Sequence, residues 1–176
     1  MTEPRDSLPP EAAELIALLG LAPHPREGGH FAETYRSDER VPPGALPARY
    51  AGARALGTAI YYLLTPETIS PLHRLASDEI FHFYLGDPVE MLLLHPDGSS
   101  GVALLGTDLA GGMRPQRVVP RGVWQGARLR PGGRWALLGT TVAPGFEYAD
   151  YEDGRREELL AAYPTQTRLI AALTRV

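Results

Sequence analysis

Two side chains six residues apart, His73 and Glu79, carry the chemistry this sequence offers most plainly. From Glu79 to Leu85 the residues alternate as in a strand, so Glu79, Phe81, Phe83 and Leu85 share one face and Ile80, His82 and Tyr84 the other. An ionised carboxylate at the head of an apolar face costs several kcal/mol unless it is paired, bound to a metal or set in a wet pocket. His73, on the loop expected to lead into this strand, can fold back beside it. An imidazole against a carboxylate is a group that can move protons. The alternative is a strand that starts at the surface, with Glu79 in water and His73 on an exposed loop.

The absent residue types narrow the chemistry further. The 176 residues include no cysteine, lysine or asparagine. Thiolate metal sites, disulfides, thiol nucleophiles and lysine Schiff bases are therefore excluded. All 17 basic residues are arginine, and the net charge is −4. An acidic chain without a basic stripe argues against a nucleic-acid partner. No apolar run is long enough to span a bilayer, and the acidic, proline-bearing start does not resemble a signal peptide. A cytoplasmic protein with no membrane partner is expected.

The elements that must position these groups read as follows. A helix is expected over residues 8–20, with Ser7 as its cap and Pro9 and Pro10 in its first turn. The turn at Gly28-Gly29 feeds a strand on which Phe31, Glu33 and Tyr35 share a face opposite His30, Ala32, Thr34 and Arg36. Residues 37–54 carry three prolines and two glycines and read as a long loop of the kind that serves as a lid or a partner contact or is disordered. In the strand from Ala55 to Thr65, Tyr61 and Tyr62 point to opposite faces, so only one can enter a cavity. Strands then recur every eight to twelve residues between glycine and proline turns, the mark of an all-β sandwich or barrel. Helical spacing returns in segments over 155–174, the second of them capped by Thr165. One domain over residues 1–176 is expected, with a β core over about 25–148.

Two short motifs carry a resemblance to a known family. His73, Glu79 and Gly86, with Pro120-x-Gly122-x-x-Gln125, resemble the paired motifs of the cupin superfamily. Leu75 and Gln125 stand where that superfamily has its second and third histidines. The longer pattern is similar to a small family labelled predicted sugar epimerases, or cupin proteins of unknown function. Its matching pieces are Glu27-Gly28-Gly29, Tyr35-Arg36, Ile60 to Leu64, Ser77 to Gly86, Val123-Trp124-Gln125 and Val142 to Glu147, within residues 13–165.

The resemblance implies a double-stranded β-helix, or jelly roll, closed as a barrel with the site at its mouth, and a homodimer. Cupin-fold sugar epimerases use a histidine base and a tyrosine acid. By resemblance His73 becomes the base, held by Glu79, with Tyr62 or Tyr35 opposite. Gln125, Tyr35, Glu33, Phe81, Phe146 and Arg36 are then the candidate ligand contacts for a keto-sugar or nucleotide sugar, with Arg74, Arg128 and Arg130 also available to a diphosphate. No cofactor is expected. Two alternatives stand beside this reading: a metal-dependent oxygenase or lyase holding a weakly bound divalent metal on His73, Glu79 and Gln125, and a ligand-binding protein without turnover. His82 should be structural, and His24, His30 and His95 should be exposed beside turns.

Overall fold

The computed structural model describes residues 8–175, and there the alternating stretches become strands. Helix α1 (Pro10–Leu19) is followed by β1 (Ala22–Pro23), β2 (His30–Arg36), β3 (Arg40–Val41), β4 (Arg54–Ala55), β5 (Thr58–Leu64), β6 (Ser70–Leu75) and β7 (Asp78–Gly86). Then come β8 (Val89–Leu94), β9 (Ser100–Leu105), β10 (Gln116–Val119), β11 (Trp124–Leu129), β12 (Ala136–Ala143) and β13 (Tyr151–Asp153), and last α2 (Arg156–Ala162) and α3 (Thr167–Ala172). Gly20 ends α1 at a left-handed φ of 62°, which a residue without a Cβ adopts freely. Ser7, expected as the cap of α1, lies outside the described residues. Thr165 does not cap α3; it lies in a single tight turn between the last two helices.

Two antiparallel sheets form the body, one ordered β1-β2-β5-β12-β7-β10 and the other β13-β6-β11-β8-β9. Among the described residues no strand pairs one sheet with the other, so the expected closed barrel is instead an open jelly-roll sandwich. Tyr62, Leu64, Phe81 and Leu138 from the first sheet meet Met91, Leu93, Ala127 and Leu129 from the second. Strand β8 is apolar along nearly its whole length because both its faces are covered. Met91 and Leu93 enter the core between the sheets, while Leu92 and Leu94 pack under Leu159, Ile170 and Leu173 of the C-terminal segment. Helix α1 covers the outer face of the first sheet around Leu63 and Leu137. No helix among the described residues is long and apolar enough to cross a membrane.

Two bulges change which face a residue reaches. On β2 the register slips between Glu33, opposite Ile60, and Tyr35, opposite Ala59. The extra residue, Thr34, returns Arg36 to the face of Glu33 and turns Tyr35 outward, 56% exposed. On β7 a slip between Phe83 and Leu85 sends Leu85 out of the core, at 51% exposure, although it was expected beside Phe83. His73, expected on a loop, belongs to β6.

The proline-rich stretch is pinned rather than loose. At its end Arg54 is buried and donates to both carboxylate oxygens of Asp150, at 2.7 and 2.6 Å. The hydroxyl of Tyr50, also buried, is 2.9 Å from Ser77 Oγ.

Candidate functional site

Glu79 lies on β7 opposite Val142 of β12 and Val119 of β10, and its side chain faces the second sheet. There Gln125 and His73 are register partners on β11 and β6. The three groups meet between the sheets. Gln125 Nε2 donates to Glu79 Oε2 at 2.6 Å, and His73 Nε2 is 4.0 Å from the same oxygen. His73 Nδ1 is 2.8 Å from the Pro71 carbonyl, which fixes the proton of a neutral ring on Nδ1 and leaves Nε2 turned to Glu79. The other face of the imidazole stacks on Tyr151, with ring centroids 4.7 Å apart. All three side chains are buried.

Burial pushes the Glu79 carboxyl above its ordinary pKa. The neighbouring His73 ring and hydrogen bonds from Thr140 and Gln125 oppose that shift, while the charge of Glu27 adds to it.

Glu79 is the member of the trio that reaches a cavity of about 330 Å³ on the inner face of the first sheet. The wall is built from Phe31, Glu33, Arg36, Thr58, Ile60, Thr140 and Val142, and the mouth from Phe146, Glu147 and Tyr148. His24 and Glu27 close one side, delivered by the glycine turn. Gly29 takes a φ of 77°, and a Cβ on Gly28 would collide with the Ile69 carbonyl, so both positions require glycine. His24 Nδ1 accepts the backbone N–H of Glu27 at 2.8 Å, and burial holds this imidazole below its ordinary pKa. The neutral ring therefore carries its proton on Nε2.

Of the residues singled out from sequence, Glu33, Arg36, Phe146 and Glu79 line the cavity, and His73 and Gln125 stand behind Glu79. Tyr35 is turned away by the bulge. Tyr62 is a core residue whose hydroxyl donates to the Gly28 carbonyl at 2.7 Å, so it braces the glycine turn rather than facing a ligand. Phe81 packs in the core between the sheets. His82 lies on the outer face, 3.1 Å from Thr141 Oγ1. His24, expected to be exposed, has a side chain only 6% accessible, and with Glu27, Glu147 and Tyr148 it was missed. The usable signal was the spacing His24-x-x-Glu27-Gly28-Gly29, in which the glycines fold the turn back over the sheet.

The donor set does not fit the divalent metal that the resemblance raised. Among the described residues no three His, Asp or Glu side chains converge as ligands. Gln125 turns its N–H group, not a ligand oxygen, toward Glu79. Leu75 packs against Val142 and Tyr151 as an apolar core residue.

Residues 13–153 match a family model described as Cupin superfamily (DUF985). An uncharacterized protein of Saccharomyces cerevisiae, YML079W, is 34% identical over 160 residues, spanning 86% of this chain and 77% of its own. Protein SO0799 of Shewanella oneidensis superposes with a TM-score of 0.81 at 36% identity, over 93% of this chain and 97% of the other. A hypothetical protein from Leishmania major gives 0.82 at 30% identity, over 94% and 99%.

Proposed function

The chain belongs to the cupin superfamily, in the family described as DUF985, and from that premise we propose that it binds a small carbonyl compound and moves a proton on it through Glu79. One observation carries this reading: a carboxyl raised above its ordinary pKa by burial opens onto a cavity of about 330 Å³. Raising the pKa makes the ionised form a stronger base near neutral pH. Glu79 takes a proton from the carbon beside the substrate carbonyl, and the Nε2–H of neutral His24 polarises the carbonyl oxygen. Return of the proton to the same or the neighbouring carbon gives epimerisation or isomerisation. His73 and Gln125 do not touch substrate; they orient Glu79 and limit how far its pKa rises.

The reaction class stays with the sugar-epimerase resemblance, while the base is Glu79 in place of His73. The volume lies at the small end of ligand pockets and suits a monosaccharide-sized molecule better than a nucleotide sugar. Arg74 is paired with Glu152 and Arg128 with Glu90, and neither lines the cavity.

The test is incubation with monosaccharide-sized keto-sugars in deuterated water, followed by NMR. Deuterium should enter at the carbon beside the carbonyl. Saturable binding without incorporation would reduce the protein to a ligand binder without turnover.

We also propose a homodimer, as the resemblance implies, formed through the part of the first sheet that α1 leaves uncovered. Tyr84 and Val118 are 45% and 49% exposed there, and Val118 is the register partner of Ile80. Light scattering should give twice the chain mass of 19.1 kDa, and Val118→Arg should halve it. A wild-type monomer at micromolar concentration would reject the dimer.

A further inference from the structure

The charge balance of the cavity selects among ligands. Its lining holds four carboxylates, Glu27, Glu33, Glu79 and Glu147, against one guanidinium, Arg36. Arg36 has no donor left for an anion. Its Nε and Nη2 donate to Glu33 at 3.0 and 2.8 Å, Nη1 donates to Glu147 at 3.2 Å, and Nη1 and Nη2 both donate to the Phe146 carbonyl at 3.3 Å. Those five contacts use all five N–H groups of the side chain. Arg40 reaches Glu147 at 3.7 Å from the outside and does not line the cavity.

The two inner carboxylates lack a close cation. Glu27 Oε2 accepts from the hydroxyl of Ser70 at 2.9 Å, and Oε1 is 3.9 Å from His24 Nε2, beyond hydrogen-bond range. Glu79 accepts from the neutral amide of Gln125, with His73 at 4.0 Å. Three aromatic rings complete the lining, Phe31, Phe146 and Tyr148, and aromatic faces attract cations as carboxylates do.

We infer that the cavity selects a small organic cation, a protonated amine of monosaccharide size, whose ammonium group pairs with Glu27 while Glu79 faces the carbon skeleton. This inference rests on the cavity being the ligand site proposed above, and it adds the charge class. An anion would meet uncompensated carboxylates and a guanidinium already spent. A neutral polyol would leave the field of Glu27 and Glu79 unanswered.

Three ligands that share one ring and differ in charge test it: D-glucosamine, D-glucose and D-glucuronate, titrated into the protein by calorimetry at low and high salt. Glucosamine should bind about tenfold or more tighter than glucose, a difference of about 1.4 kcal/mol, and should weaken as salt is added. Glucuronate should give no binding heat. Glu27→Gln should erase the preference for glucosamine. Should that variant fail to fold, Glu147→Gln at the mouth serves instead: it removes one carboxylate, frees an N–H of Arg36, and should narrow the margin over glucuronate. Equal affinity for glucose and glucosamine, tighter glucuronate, or silence from all three would overturn the charge assignment. The deuterium-exchange experiment decides the role of Glu79 independently, because it uses uncharged keto-sugars at saturating concentration.

Discussion

Replacing Glu79 with glutamine removes proton exchange and leaves the fold at least as stable as before. The substitution keeps size and shape but deletes the base. Loss of a general base lowers rate by roughly a hundred- to ten-thousand-fold. The stability half follows from linkage. Burial raises the Glu79 pKa in the folded chain, so the unfolded chain gives up this proton at lower pH. Between the unfolded and folded values the native state binds more protons, and stability falls as pH rises through that window. Glutamine does not titrate, so the variant should lose this decline and be at least as stable as the wild type at neutral pH. In the wild type, exchange should be low below the elevated pKa and rise as pH passes through it. Scanning calorimetry and the deuterium assay read the two halves. A variant that retains exchange would end the proposed role of Glu79, and one that unfolds more easily at neutral pH would show that its charge is stabilised by its neighbours.

Arg54→Ala should be the most damaging single change outside the hydrophobic core. Arg54 and Asp150 have side chains 4% and 5% accessible and share a bidentate contact. Removing one partner strands the other charge away from water, a loss of about 3–5 kcal/mol. For a chain of this length that corresponds to a fall in Tm of about 6–20 °C. Arg54 also donates to the carbonyls of Gly52 and Ala53, so it ties down the end of the proline-rich stretch. Asp150 closes the short helical turn Tyr148–Asp150, which brings Tyr148 to the cavity mouth. The same substitution should therefore weaken ligand binding as well as stability. Adding Asp150→Ala should recover part of the lost Tm, because the stranded charge is gone. A loss below about 1 kcal/mol, in the range of exposed pairs, would mean that the pair is not sealed from water.

The alternation of Glu79 with Phe81 and Phe83 already marked a carboxylate on an inner face, and the pairing of β11 with β6 brings His73 and Gln125 to it. Glycine and proline turns located β5, β8 and β12 by bracketing apolar runs, and period-two alternation marked β7, because its inner and outer positions differ in polarity. What patterning could not give was the bulges. One extra residue at Thr34 exchanges the faces of Tyr35 and Arg36, and no residue type in that stretch announces it. His24 was hidden for a different reason. Its burial comes from contacts made across the fold, with the Phe31 ring 4.6 Å away and the glycine turn held against Ile69. A histidine beside a turn reads as exposed until that turn is placed over a sheet. The long stretch 37–54 misled likewise, since the partner that pins it, Asp150, lies 96 residues beyond Arg54.

Titration of the Glu79 side-chain carboxyl by ¹³C NMR, with the resonance assigned by its disappearance in Glu79→Gln, addresses the account at its centre. The midpoint should lie above the ordinary carboxylate range and should move when a cavity ligand is added. A midpoint at or below the ordinary value, unchanged by ligand, would show a carboxylate already satisfied by its neighbours and would contradict its assignment as the base.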